Sequence, residues 1–282
     1  MKAQLTLTVA VAKEVIAAAV VRRADVQQAW QQGKILLKGG TTVSAVARRL
    51  RLPALRISGR ISPNGAKGSG NPDKSAAHSV LCEGGSVRNI DAAIGVAVAS
   101  LGPEDVVVIG ANALDCHGQA GMLLGSPLGG MPGQAFTGIM AQGCKVIIVC
   151  GLEKLIPGTI AAASQAAGMT SAAWSMGMSC GLVPLVGEVV TEQAVLSALF
   201  SLSVTPIACG GISGAEGATT LVLDGSADNV RQAVEWVVSI RENMDTTQEN
   251  VVECYKGSAG CASHKNCAWR DAKGGKLTWR EK

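Results

Sequence analysis

Apolar and polar positions along this chain come in blocks. Three blocks share one form: KILLKGGTT at 34–42, VVVIGANALD at 106–115 and KVIIVCGLEK at 145–154. Each is a short unbroken apolar run that empties into glycine and polar or charged residues. Such a run reads as a strand buried on both faces, as in a parallel sheet, and ligands of open α/β sheets bind beyond the carboxyl ends of such strands. Three ends of this kind outline one small-molecule pocket. Between them the apolar positions take helical spacing: over 9–32 leading to Gly33, over VSAVARRL after the first strand, and near 90–101 before the second. Alternating strands and helices imply right-handed parallel crossovers, so residues 1–180 are expected to form a doubly wound, mainly parallel Rossmann-like α/β sheet.

Other segments punctuate this order. ALRISGRIS is a further strand candidate, SPNGAKGSGNPD at 62–73 reads as a mobile surface loop, and GQAGMLLGSPLGGMPGQ at 118–134 as a second glycine-rich loop. From residue 182 the rhythm becomes strand, helix, strand, strand, helix: LVPLVGEVV, EQAVLSALF, VTPIACG, ATTLVLDG and SADNVRQAVEWVVSIREN, the last with Ser226 as its N-cap. That order predicts a smaller ferredoxin-like α+β domain over 181–244, a split βαβ unit. The tail, 245–282, is polar and its composition predicts no packed core.

Composition narrows the class. A hydrophobic fraction of 48% is ample for a core, yet the apolar stretch LTLTVAVAKEVIAAAVV is broken by Lys13 and Glu14. No window supplies the roughly 20 uncharged residues of a spanning helix, and the amino terminus does not read as a signal peptide. Net charge is +4, with 16% charged and 3% aromatic residues, so neither a concentrated basic face nor stacking aromatics point to nucleic acid. The cluster Arg48, Arg49, Arg51, Arg56 and Arg60 reads as a helix end and solvated edge, with anion binding as the alternative. Low charge with high apolar content implies a homo-oligomer. Nine cysteines without a signal peptide imply a reducing, cytoplasmic location. Six of them, Cys82, Cys116, Cys144, Cys150, Cys180 and Cys209, are expected to be small buried hydrophobes.

The strand ends carry the candidate chemistry. Lys38, Gly39, Gly40, Thr41 and Thr42 open a helix, where free amides, the helix dipole and threonine hydroxyls favour an anion or phosphate; a tight strand-to-helix turn is the alternative. Asn112 and Asp115 place an amide and a carboxylate at the second end, able to bind a ligand or move a proton, or else to cap a turn. Glu153 is a candidate base, or a nucleophile toward an activated ester, and Lys154 can neutralise a phosphate or carboxylate. If that segment is extended, the two point opposite ways and one faces the pocket. The main site requires no cofactor. In the tail, Cys254, Cys261, His264 and Cys267 supply the ligand set of a zinc ion or an iron–sulfur cluster. Spacings of six, two and two intervening residues match no standard zinc knuckle, and free thiols are the alternative. His78 reads as a loop or core histidine.

The order of motifs resembles the superfamily that includes ribose-5-phosphate isomerase, glucosamine-6-phosphate deaminase, the sugar-sensing domains of DeoR-type regulators and the coenzyme A transferases. KGGTTVSAVARRL resembles the isomerases' first phosphate loop. GANALD resembles their Gly-Ala-Asp segment and the regulators' Gly-Ala-Asn. GLEK resembles the isomerases' Glu-Lys, and the last βαβ piece their small second domain. The likeness covers about residues 9–242. The chain departs from the isomerases in carrying Asn112 where they have a catalytic aspartate, with Asp115 nearby, and in beginning its loop with Lys38. The resemblance implies a small anionic metabolite and aldose–ketose isomerisation with Asp115 or Glu153 as base. It also implies two alternatives: acyl transfer from coenzyme A through Glu153, or a non-catalytic sensor or scaffold.

Overall fold

In the computed structural model, which describes residues 1–68, 76–243, 261 and 263, the chain opens with β1 (Lys2–Leu7), α1 (Val9–Val20) and α2 (Ala24–Gln32). Next come β2 (Lys34–Lys38), α3 (Thr41–Arg49), the hairpin β3 (Gly59–Ser62) and β4 (Gly65–Gly68), the hairpin β5 (Ser79–Glu83) and β6 (Ser86–Asn89), and α4 (Ile94–Ala99). The middle holds β7 (Val106–Gly110), β8 (Ala113–Leu114), β9 (Ala120–Leu124), α5 (Gly130–Gln142), β10 (Lys145–Val149), a 3-10 turn at Leu152–Lys154, and α6 (Ile160–Ala166). The last part holds β11 (Gly181–Leu185), β12 (Glu188–Val190), α7 (Glu192–Phe200), β13 (Ser203–Gly210), β14 (Ala218–Asp224) and α8 (Ala227–Glu242).

The chain is a mixed α/β protein. The three apolar runs lie together in a six-stranded sheet of order β12-β10-β7-β2-β5-β6. Residues 35–37, 106–109 and 147–149 are at most 1% exposed, the burial expected of strands covered on both faces. The strands β12, β10, β7 and β2 are parallel, and the register sets Leu37 opposite Val108 and Val149 opposite Gly110, so their carboxyl ends finish at one level. Their amino ends are held by the buried carboxylate of Asp105, which accepts the Lys34 amide at 2.7 Å and the Gly102 amide at 2.8 Å. The far edge departs from the expected parallel order. Strand β5 returns antiparallel along β2, and Gly84 and Gly85, both at positive φ, then turn the chain into β6, so the sheet is mixed.

The second body is drawn differently from the expected division near residue 180. Its three-stranded antiparallel sheet has β14 between β13 and β1, so the first strand of the chain completes it. The α-amino group of Met1 also donates to the Gly225 carbonyl at 2.6 Å. Residues 181–190 go elsewhere: β11 pairs antiparallel with β9, and β12 joins β10 in the main sheet. In α8, capped as expected by the Ser226 hydroxyl accepting from the Asn229 amide, Val230, Ala233, Val237 and Ile240 form the buried stripe. One contiguous cluster of buried side chains, containing Leu7, Ile16, Leu36, Val108, Ile148, Leu221 and Val230, joins this sheet to the main one.

Smaller differences have local causes. The helix expected over 9–32 is two, α1 ending at the Val21 C-cap and α2 starting after Arg23, whose guanidinium grips Asp25 at 2.8 Å and Glu188 at 2.5 Å. The helix near 90–101 shortens to α4. Both expected glycine-rich loops hold strands, β4 and β9; residues 69–73 of the first lie outside the described residues. Arg48 and Arg49 of the basic cluster pair with Glu14 on α1, and Arg56 pairs with Asp91. Cys82, Cys144 and Cys150 are buried as expected, whereas Cys116 and Cys209 are exposed, on a turn and on the open strand β13. Among the described residues no helix is long and apolar enough to cross a membrane.

Replacing Asp105 by Ala orphans two amides where β2 and the turn before β7 begin. A loss of about 2–4 kcal/mol in unfolding free energy is expected, measured by urea titration.

Candidate functional site

Beyond Lys38 the backbone must leave the sheet within two residues to enter α3. Gly39 makes this possible: its amide donates to the His78 carbonyl at 2.6 Å, and a Cβ there would collide with that carbonyl and lie 2.6 Å from His78 Nδ1. His78, at the start of β5, is itself fixed. Its Nδ1 donates to the Arg56 carbonyl at 2.7 Å, and its Nε2 lies 3.3 Å from the Ser58 hydroxyl. Asp91 accepts the His78 and Ser79 amides at 2.9 and 2.7 Å and the Arg56 guanidinium at 3.0 Å. Burial, with the Lys38 charge added, lowers the imidazole pKa to about 4, so His78 is neutral at physiological pH.

Lys38 is partly buried and its side chain makes no hydrogen bond or ion pair among the described residues. Burial alone lowers its ammonium pKa to about 8. Directly after it, Gly40 occupies the N-cap of α3 and brings no side-chain acceptor to the first amides. The hydroxyls of Thr42 and Ser44, in the first turn, are buried with no hydrogen-bond partner among the described residues. An unneutralised cation, an uncapped helix start and an unsatisfied hydroxyl thus occur within five residues.

The second strand end is more structural than expected. Asn112 donates its amide to Gly121 at 2.8 Å and accepts the Leu123 amide on Oδ1 at 3.0 Å, which clamps β9 beside the end of β7. Asp115 is buried and accepts three amides, Ile160 at 2.9 Å on one oxygen and His117 and Gln119, each at 2.9 Å, on the other. Those bonds, led by that from Ile160, hold its carboxyl below the usual range. The turn-and-helix-cap role is the one this geometry serves; a carboxylate so saturated is a poor proton acceptor.

The third end differs from the extended segment assumed for Glu153 and Lys154. Leu152–Lys154 is a 3-10 turn, so both side chains come to the same edge, with Lys154 Nζ 3.9 Å from Glu153 Oε1. Lys154 Nζ also donates to the Ala111 carbonyl at 2.7 Å, which carries its charge across to the end of β7. At 3.9 Å the pair is ionic and too long to be a hydrogen bond, and both Glu153 oxygens are buried without a hydrogen-bond partner among the described residues. The carboxylate lies over Gly151, where any Cβ would collide with it. Gly217, leading into β14, lies so close that a Cβ there would stand 3.5 Å from Glu153 Cβ and 3.0 Å from Val9 Cγ2, so the second sheet closes this side.

A fourth strand end, not anticipated, completes the group. Glu192 follows β12 and is 1% exposed, with both oxygens 3.1 Å from the Leu152 amide. Burial first, then the neighbouring Glu153 charge, raises its pKa to about 7. Its signal was in the sequence: VVTE repeats, in three strand residues, the form of an apolar run emptying into threonine and an acid. Cys150, beside these acids, is fully buried, and burial pushes its thiol up to about 12, so it is not a thiolate.

No family model, curated protein or solved structure matches the chain.

The described residues contain no cluster of three or more metal-ligating side chains. Of the tail set, Cys261 is described and half-buried, and Cys254, His264 and Cys267 lie outside the described residues. The structure therefore brings Lys38, Gly39, Gly40, Thr41 and Thr42 to one end and Glu153, Lys154 and Glu192 to another. These ends are two strand spacings, about 10 Å, apart, with Ala111 and Asn112 between.

Because the folded Glu192 pKa lies above its unfolded value, this group's contribution to stability is fully present below about 4.5 and is lost as pH rises through about 7. Glu192→Gln keeps an acceptor for Leu152 and removes the ionisation. Its unfolding free energy should lose that pH dependence and exceed the parent's by about 2 kcal/mol at pH 8, read by denaturant titration from pH 4 to 9.

Proposed function

We propose that the chain binds a small phosphorylated or carboxylated metabolite at the carboxyl ends of β2, β7 and β10. The anion is held by Lys38, the Gly39–Gly40 backbone and the first turn of α3 with Thr41 and Thr42, and Lys154 is the second cation. The observation that carries this reading is Lys38, a partly buried ammonium with no carboxylate partner among the described residues, at the mouth of an uncapped helix. A desolvated charge without a counter-ion costs free energy in the free protein and regains it when an anion arrives.

The reaction that fits is sugar-phosphate isomerisation between aldose and ketose, with Glu153 as the base that moves a proton between adjacent carbons. Glu153 takes this role over Asp115 because its oxygens are not engaged by amides, while Lys154 stands close enough to steady the negative charge on the enediolate oxygen until the hydroxyl proton passes from one oxygen to the other. Glu192 acts as a positioning residue, gripping the Leu152 amide at the start of the turn that carries both. Glu153 is covered in the free protein, so proton transfer requires the exposed turn at 211–217 to move. This turn has four residues at positive φ in seven positions. The same unengaged carboxylate supports a second reading, attack on the carbonyl of a coenzyme A thioester that breaks the C–S bond, releases the coenzyme A thiolate and leaves a glutamyl anhydride, trapped by hydroxylamine as the hydroxamate of Glu153. A Rossmann-like sheet, a ferredoxin-like second body and a cytoplasmic homo-oligomer belong to the proposal as well. A non-catalytic sensor would keep the anion site and lack turnover.

The test is a thermal-shift series of the purified protein with sugar phosphates, carboxylic acids and coenzyme A thioesters. One class should raise Tm, and Lys38→Met should abolish the shift while raising the unliganded Tm at pH 7, corresponding to about 1–2 kcal/mol of added stability, since it removes a desolvated charge. A lower unliganded Tm together with a retained ligand shift would contradict the anion site.

A further inference from the structure

We infer that the uncharged surface formed by residues 116–144 and 155–187 is a subunit interface, and that its occupant is the same surface of a second copy of this chain. The inference rests on the homo-oligomer of the reading above and names the face that makes it. Between residues 106 and 187 the only charged side chains are Asp115, Lys145, Glu153 and Lys154. Burial does not explain the gap. No residue of 155–187 is charged, yet 29 of its 33 residues are at least partly exposed. In an ordinary globular chain about a quarter of residues are charged, and most of them lie at the surface. Helix α8 shows what a solvated face of this protein looks like: its 16 residues include Asp228, Arg231, Glu235, Arg241 and Glu242, all exposed.

The two segments are joined. Strands β9 and β11 pair antiparallel from Ala120 opposite Leu185 to Leu124 opposite Gly181. Just past that ladder the chains stay close, since a Cβ on Gly125 would stand 3.0 Å from Met178 and 3.1 Å from Cys180. The Ser164 hydroxyl of α6 donates to the Leu182 carbonyl at 2.7 Å, and the Ser179 hydroxyl donates to the Gly168 carbonyl at 2.7 Å. Leu128, 82% exposed, and Met176, 44% exposed, lie within three residues of the Gly125 contact along their segments. Leu155, 48% exposed, directly follows the Glu153–Lys154 turn, so this surface begins beside the candidate site. Depleted charge with exposed methionine is the composition of an interface core. The exposed alanines of α6 have no rotamer freedom to lose when they are covered.

Charge decides the occupant. A charged group set against this face would lose its water without gaining a partner, so what covers it must be equally uncharged. The chain's own tail, 245–282, is a poor match, because 12 of its 38 residues are charged. An anionic membrane surface is a poor match too, because neither segment has a lysine or arginine to draw it. The same face on a second copy meets the condition. No like charges come together across a two-fold axis, and such an isologous contact closes at two subunits. Area agrees: a stable dimer takes about 20–30 residues from each partner, within what the two segments leave exposed.

The experiment measures the mass of the full chain by sedimentation equilibrium at micromolar concentration. It compares the unaltered protein with the double variant Leu128→Glu and Met176→Glu and with Val238→Glu, which changes an exposed residue of α8 outside the surface. The unaltered protein and Val238→Glu should be dimers. The double variant should keep the circular dichroism of the parent, since both positions are exposed, and should raise the dimer dissociation constant on the order of 100-fold or more. A second measurement needs no variant: amide hydrogen exchange of the unaltered protein should slow within 155–187 as rising concentration forms the dimer, and stay constant in α8. A monomeric parent overturns the interface and the homo-oligomer together. An oligomer that withstands the double substitution, or gains its protection elsewhere, overturns this face and leaves the homo-oligomer standing. Binding of the unaltered protein to neutral phosphatidylcholine vesicles, lost in the double variant, overturns a second copy as the occupant.

Discussion

Residues 35–37, 106–109 and 147–149 give up essentially all contact with water, and a strand buried on both faces cannot carry a charged group until it ends. The polar chemistry of this half of the chain is therefore displaced to the strand termini. At the amino ends one acid, Asp105, satisfies amides of two segments and fixes the level at which the strands begin. At the carboxyl ends Lys38, the Glu153–Lys154 turn and Glu192 leave the sheet at nearly the same height. Their proximity follows from register, since parallel strands that start level and run five residues finish level.

Desolvation is common to these groups, and it acts with opposite sign on acids and bases. It lowers Lys38 and His78 and raises Glu192 and Cys150. Asp115 shows the contrast. Its side chain is also out of contact with water, yet three amide donors favour the ionised form, because hydrogen bonds to the charged form outweigh the loss of water. Burial thus does not itself distinguish a reactive carboxyl from a structural one. What separates Glu153 from Asp115 is where the neighbouring amides point.

The central strands and their loops were legible because unbroken apolar runs have few other readings. The mixed edge was hidden because β5 returns antiparallel along β2 after a long excursion, and β6, SVRN, is polar and exposed, with no apolar run to mark it as a strand. Strand β1 was harder to see: KAQLTL alternates polar and apolar residues but runs without a break into the apolar residues of α1, and its partner β14 lies more than two hundred residues away. The pairing of Glu153 with Lys154 on one edge was also hidden, since neighbours face one way only if the backbone leaves the extended form. A 3-10 turn of three residues has almost no composition of its own. Asp115 read as catalyst or cap from sequence alone, because the residue types that cap turns are the ones that move protons.

The late arrival of β1's partner has a consequence for the site. Gly217, at the entrance to β14, lies against both Val9 at the start of α1 and the Cβ of Glu153, so the small antiparallel sheet roofs the carboxylate that the parallel sheet delivers. The roof is held by the pairing of the first strand with one more than two hundred residues away, β1 with β14, and by the Met1 ammonium on Gly225. Its outer strand β13 is exposed along most of its length and broken by a bulge at Pro206–Ala208. Opening the 211–217 turn therefore disturbs mainly an irregular edge and leaves the β1–β14 ladder and the shared core in place. A covered carboxylate can in this way be uncovered at modest cost, because motion concentrates where few buried contacts are lost.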